Sequence, residues 1–246
     1  ANANNLNAMM LRRRASAAAA PDPILALFAS GEQGIYWRRN KSDFFQNSDG
    51  TVAAGTGDTA GYIQDLSPNG NNPTQSDAAS EGLLTANSLN ADGVDDFYNL
   101  PAATGGAQNS SNTMIAAVKV PTLSATSEFL SEGNGSSDAG IRSFFLGSAG
   151  LFRYIVFQPS GNATAQTSTD FREAGWKIVT GIYDREAKKI SVRVNGVQEN
   201  IVNTADEDKT ATDAMMMFAR PAGGAFSYFP GECAAGLFID SRLTLE

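Results

Sequence analysis

GWKIVTGIYDREAKKISVRVNGVQENIVNT, Gly175 to Thr204, is the stretch whose reading decides the fold. From Trp176 the apolar residues alternate, with Trp176, Ile178 and Ile182 on one side and Val179 and Tyr183 on the other. Asp184-Arg185-Glu186-Ala187 breaks the alternation and reads as a turn. Ile190, Val192 and Val194 then resume a period of two, opposed by Lys189, Ser191 and Arg193. Successive side chains of a strand face opposite ways, so this is a half-buried antiparallel strand. Asn195-Gly196 supplies two residues that accept positive φ at low cost, which predicts a type I′ turn with Val197 onward returning as the next strand. A helix is excluded, because the period is wrong and Val, Ile and Gly are too frequent. On these residues alone the stretch is a hairpin of some all-β fold.

At 246 residues the chain can hold one large β-sandwich or two small domains, and all-β single domains of this length are ordinary; 42% hydrophobic residues, 24 glycines and only 18% charged residues fit a packed, loop-rich domain. A formal charge of −8 argues against a nucleic-acid partner. The one cysteine, Cys233, cannot form an intramolecular disulfide, and its small apolar neighbours predict burial. The absence of histidine removes His-based triads and imidazole zinc sites. No apolar run approaches the ~18 residues of a membrane span, so no membrane partner is expected.

Along the chain, residues 1–24 read as a flexible arm outside the sandwich. Arg12, Arg13 and Arg14 are its candidate docking residues for a partner's carboxylates; a solvating tail is the other reading. Residues 25–246 form the sandwich. Thr113 to Val120 is a strand ended by Pro121, and Phe144–Leu146 pairs with Leu151–Phe157 around the reversal Gly147–Gly150. Trp176, Ile178, Ile190, Val192, Val194, Phe152, Tyr154, Met216, Leu237 and Ile239 are expected to supply core or sheet faces. Trp176→Ala is accordingly expected to cost about 3–5 kcal/mol. In Asp92-Gly93-Val94-Asp95-Asp96, Asp92-Gly93 makes a turn, and the carboxylates of Asp95 and Asp96 can accept loop amide hydrogens. The same three acids, Asp92, Asp95 and Asp96, are also a candidate calcium site, the one cofactor the sequence suggests.

Trp176, Tyr183-Asp184 and Val194-Asn195-Gly196, at their spacing, resemble the central signature of the concanavalin A-like (laminin G-like) jelly rolls. Leu89 to Tyr98 resembles that family's first core strand with its Asp-Gly-Val-Asp-Asp turn, and Gly236 to Asp240 its final strand. The opening is similar to a laminin G-like type common in tailed-phage structural proteins. It is carried by Asp22-Pro23, Leu27-Phe28, Gly31-Glu32-Gln33-Gly34, Gln46, Asp49-Gly50-Thr51, Asp58, Gly61, Asp65, Ser67, Gly70 and Gln75. Two departures are Tyr36-Trp37-Arg38-Arg39-Asn40 where that type has Trp-Tyr-Asp-Pro-Ser, and Pro68 in place of Gly.

The resemblance implies an antiparallel two-sheet jelly-roll sandwich. It also raises the retaining glucanases of this fold, which need two carboxylates ~5–5.5 Å apart. Their Glu-x-Asp-x-x-Glu strand is missing, and Glu128, Glu132, Glu173, Glu186 and Glu207 fall in loops, turns or acidic runs. No enzymatic activity is expected. The opening implies a structural protein of a tailed-phage virion, contacting other virion proteins and further copies of itself. The alternative is a glycan-binding adhesion module for host-surface carbohydrate. Binding modules of this fold hold sugars with aromatics, Asn and Asp, which makes Tyr98, Asn99, Asp184, Asn195 and Tyr228 the candidates here.

Overall fold

The computed structural model describes residues 22–40, 42–101, 110–121, 126–132, 142–147, 149–156, 161–172, 175–204, 215–219 and 228–243. The strands begin with β1 (Gly34–Arg38), β2 (Phe44–Phe45), β3 (Tyr62–Ile63), β4 (Leu83–Leu84), β5 (Leu89–Asp92) and β6 (Tyr98–Leu100). Next come β7 (Asn112–Lys119), β8 (Ser127–Glu132), β9 (Arg142–Leu146), β10 (Phe152–Val156) and β11 (Ala163–Gln166). The last are β12 (Lys177–Asp184), β13 (Lys189–Val194), β14 (Val197–Asn203), β15 (Met215–Met217) and β16 (Pro230–Ile239).

These strands make an all-β, concanavalin A-like jelly-roll sandwich. One sheet runs β14-β13-β12-β7-β16-β5-β4, with β1 also on β16. The other runs β11-β10-β9-β8-β15-β6, and β2 and β3 form a small pair. Every pairing between named strands is antiparallel. The ten residues of β16 organise the larger sheet. One side pairs with β7, and the other is shared by β5 at Pro230–Cys233 and β1 at Ala235–Ile239, with a register shift between Cys233 and Ala235.

The hairpin forms as its residues dictate. Val194 pairs with Val197 across a turn whose φ angles are 50° at Asn195 and 82° at Gly196, the double positive φ of type I′. The earlier turn closes with Lys188 at φ 55° and its amide donating to the Arg185 carbonyl.

The main core lies between the sheets. Phe129, Phe144, Phe152, Phe218 and Phe229 interlock there, with ring centroids from 5.2 Å (Phe129–Phe229) to 6.5 Å (Phe152–Phe229). Each such buried side chain contributes ~1.5–3 kcal/mol over an exposed one. Cys233 is buried as expected, and burial pushes its thiol pKa well up. A second cluster, Phe28, Tyr36, Leu237 and Ile239, lies apart from that core and packs Ile24 and Leu27 of a 3₁₀ helix, Pro23–Phe28. Asp22 caps this helix by accepting from the Ile24 amide, and it also takes the Tyr36 hydroxyl at 3.1 Å and pairs with Arg38 at 2.9 Å. Asp22, Pro23 and Ile24, read as the end of the arm, are therefore seated on the sandwich. Arg12, Arg13 and Arg14 lie outside the described residues.

Trp176 and Ile178 correct the expected core: they are 44% and 49% exposed. Their shared face was read correctly and its direction was not. The core side of β12 carries Val179 and Tyr183, with Gly181 between them lying so close to the Tyr154 ring that a Cβ there would stand 3.1 Å from it. Both faces of β12 are apolar, and alternation alone does not say which turns inward. Ile190, Val192, Val194, Phe152 and Tyr154 join the main core, and Leu237 and Ile239 the second cluster. Met216 is buried, while its neighbours Met215 and Met217 fill the main core.

Candidate functional site

Four segments far apart in the sequence meet at one end of the strands of the larger sheet. β7 stops before Pro121, which has no amide hydrogen to continue the ladder. β5 runs into the turn at Gly93, β16 starts at Pro230-Gly231, and Gly175-Trp176 leads into β12. Between them lies a cleft of about 420 Å³ whose walls include Asn90, Asp92, Lys119, Pro121, Gly175 and Glu232.

Register explains the polar row in this cleft. Glu232 pairs with Lys119 on one side and Asn90 on the other, and Asn90 pairs with Leu83. Paired residues share a face. The flanking Val118, Leu89 and Cys233 are in the main core, so Lys119, Glu232 and Asn90 face outward. Lys119 Nζ stands 2.8 Å from Glu232 Oε1, and Ser88 Oγ donates to Glu232 Oε2 at 2.6 Å. These two donors, Lys119 foremost, hold the Glu232 carboxyl below the usual carboxylate range. The result is a fixed, ionised acceptor next to an ammonium and an amide. Trp176, one residue beyond Gly175 in the wall, offers an exposed indole at the same end.

The acidic turn borders this cleft through Asp92. Asp92 Oδ1 accepts from the Val94 amide at 2.7 Å, and the Asp92 amide donates to Asp96 Oδ2 at 2.7 Å, the turn bonding expected of these residues. Carboxylate oxygens of Asp92, Asp95 and Asp96 all lie within 4.8 Å of one another, close enough to share one divalent cation. Asp96 is 5% exposed, and burial, helped by its two acidic neighbours, pushes its pKa up to about 6. Three hard oxygen donors suit calcium or magnesium rather than a soft metal.

The candidate sugar residues do not assemble into one site. Tyr98 is fully buried, its hydroxyl donating to the Ala60 carbonyl at 2.7 Å and accepting from the Gly82 amide at 3.0 Å. Asn99 is exposed on β6 in the other sheet, bonded through its backbone to Thr74. Asp184 sits at the far end of β12, accepting from the Ala187 amide at 3.0 Å and pairing with Arg242 at 3.0 Å. Asn195 lies at the Trp176 end, its Oδ1 accepting from the Ile178 amide at 2.9 Å. Tyr228 is half-buried against Phe97, with its hydroxyl pKa raised by burial and by nearby Asp95. Thus Asp92, Asp95, Asp96 and Tyr228 are brought together, while Tyr98, Asn99 and Asp184 are not among them. Asn90, Lys119 and Glu232 escaped sequence reading, because strand pairing alone brings them together. Lys119 two positions before a strand-ending proline was the one local sign of a charge at a sheet end.

A second cleft of about 440 Å³ lies beside the N-terminal helix and is walled by Ile24, Leu27, Ile115, Ile178, Leu237 and Leu243 among others. Its lining is mostly hydrocarbon and lacks the convergent polar groups of the first.

Comparison with known proteins gives the family. The sequence profile of the concanavalin A-like lectin/glucanases superfamily matches residues 92–239. No curated protein sequence matches the chain. Among solved structures, the Ruminococcus gnavus IT-sialidase CBM40 bound to α2,3-sialyllactose superposes with a TM-score of 0.54 and 17% identity. That match covers 66% of this chain and 94% of the CBM40. Leech intramolecular trans-sialidase gives a TM-score of 0.54 at 16% identity, covering 64% of this chain and 26% of that one. Trypanosoma rangeli sialidase gives 0.56 at 15% identity, covering 86% and 31%.

These matches correct the expectation of a tailed-phage virion protein, with its virion partners and virion location. The matched profile is one of lectins and glucanases, and the structures matched over nearly their whole length are sialidase carbohydrate modules. The chain spans the CBM40 almost completely but only a minor part of the two sialidase chains. With more than half of its length matched by the profile, the chain belongs to the concanavalin A-like lectin/glucanases superfamily.

Proposed function

We propose that this domain is a glycan-binding module whose ligand lies in the cleft between Trp176 and Asp92. The observation that carries the reading is an exposed indole, next in the chain to Gly175 of the cleft wall, at the same strand ends as a fixed row of ammonium, carboxylate and amide. A pyranose has an apolar C–H face that packs on an aromatic ring and a rim of hydroxyls that both donate and accept. In this cleft Trp176 takes the face, Glu232 accepts hydroxyl hydrogens, and Asn90 and Lys119 donate. The likeness to a CBM40 crystallised with sialyllactose supports a carbohydrate ligand. Glycans of this kind are displayed outside cells, so the reading implies a secreted or surface-borne protein. Immobilised glycans retain the intact protein, and Trp176→Ala lowers affinity ~10-fold or more, about the ~1–2 kcal/mol scale of a lost aromatic contact. Failure of the folded protein to bind any glycan in a broad array defeats the proposal.

Calcium is the cation we assign to Asp92, Asp95 and Asp96. When bound, it would neutralise crowded carboxylates and stiffen the turn that forms one wall of the cleft. Isothermal titration at pH 7.5 is expected to show binding in the 10⁻⁴–10⁻³ M range of extracellular calcium modules, with a raised melting temperature. Asp96→Asn abolishes it. Affinity falls as the pH drops through about 6, because a proton then competes for the Asp96 carboxylate. Absence of heat and of thermal shift at 5–10 mM calcium, roughly tenfold above that range, leaves these residues as turn formers.

A further inference from the structure

We infer that the cleft at the strand ends selects neutral sugars and discriminates against sialylated and other anionic glycans. This rests on the glycan-binding reading and adds the ligand class. The walls carry two carboxylates, Asp92 and Glu232, against one ammonium, Lys119. That ammonium is already committed to Glu232 at 2.8 Å. In the calcium-free domain Asp95 and Asp96, whose carboxylate oxygens lie within 4.8 Å of that of Asp92, extend the negative field.

Two other cations among the described residues near this end are accounted for. Arg172, bridged through its backbone to Val120 in the wall, forks onto Asp170 with bonds of 2.5–3.0 Å. Lys177 pairs in register with Val118, whose side chain is in the core, and so belongs to the opposite face from Lys119. Among the described residues no lining residue is an arginine, the side chain suited to grip a carboxylate with two parallel bonds. An incoming sialic acid would place a third carboxylate beside Asp92 and Glu232, and among the described residues of the walls the one cation is Lys119, already paired with Glu232. A neutral hexose offers hydroxyl donors to the remaining lone pairs of these carboxylates and brings no charge of its own. Discrimination comes here from repulsion of the wrong ligand as well as attraction of the right one.

The test uses the whole chain in buffer with a chelator, so that the charge of the acidic turn is defined. Binding is measured to an array of neutral oligosaccharides and the same oligosaccharides capped with sialic acid. The expected result is at least ~10-fold tighter binding of the neutral member of a pair, a gap that shrinks as salt rises from about 0.02 to 0.5 M. Asp92→Asn narrows the same gap by raising sialylated binding, and Trp176→Ala weakens both members. Circular dichroism and melting temperature verify that each variant is folded. Equal or tighter binding of sialylated glycans that still depends on Trp176 overturns the charge selection and leaves the module standing. Glycan binding indifferent to Trp176 overturns the cleft as the site, and the inference with it. No binding to any glycan overturns both.

Discussion

Trp37→Ala is expected to destabilise the domain by about 3–5 kcal/mol, the range for truncating a buried large aromatic, whereas Trp176→Ala leaves stability within about 0.5 kcal/mol. Trp37 is 2% exposed on β1 and meets Phe44 edge to face at 6.1 Å. Its indole lies over Gly236, its cross-strand partner, so closely that a Cβ there would come within 2.6 Å of Nε1. A cavity at that spot cannot refill from below, because Gly236 has no side chain, and backbone pairing holds β16 in place. Trp176, by contrast, already meets solvent. The chain has 2 tryptophans, so each single variant leaves one fluorescence reporter for a urea titration. Equal midpoints for the two variants would contradict the packing described for both residues.

Gly34→Ala is expected to be the other severe substitution, losing on the order of 3 kcal/mol or more. Gly34 has φ 148°, outside the range that L side chains adopt with ease. A Cβ there would stand 2.1 Å from the Phe238 carbonyl oxygen and 2.9 Å from Ile239 Cα, both backbone atoms of β16. Relief requires β1 to move off β16. That movement would also pull the Gly34 carbonyl from the Asn71 side chain at 2.8 Å and the Asn69 side chain at 3.2 Å. Thermal unfolding reads the loss directly; an unchanged melting temperature would mean that Gly34 does not face Ile239 as the register has it.

The contact between Gly34 and those asparagines also explains how the opening misled. Asp65 accepts the amides of Tyr36, Ser67 and Asn71, and Gln75 reaches the Phe97 carbonyl. Asp58 accepts the Gly55 amide and the Gln46 side chain. Among the residues that resembled a phage type, Gln46, Asp58, Asp65, Ser67 and Gln75 are therefore loop ties, fastening an irregular segment to β1 and its neighbours. Such ties recur wherever the same loop must be held, whatever the protein is used for. They inform about fold and carry nothing about virion or host.

By itself the sequence determined what is local. Period-two alternation, the Asn195-Gly196 turn and the Asp92 turn were legible because strand pleat and positive φ are properties of a few consecutive residues. Tertiary structure decided the rest. The inward face of β12 depended on the Tyr154 ring meeting Gly181, and the loss of Tyr98 to the core depended on Ala60 and Gly82. The cleft depended on Asn90, Lys119, Gly175 and Glu232 converging across three strand pairings and a loop. Each of these is a contact between residues distant in the chain, and the side a strand turns inward is settled by its neighbours across the sandwich rather than by its own pattern.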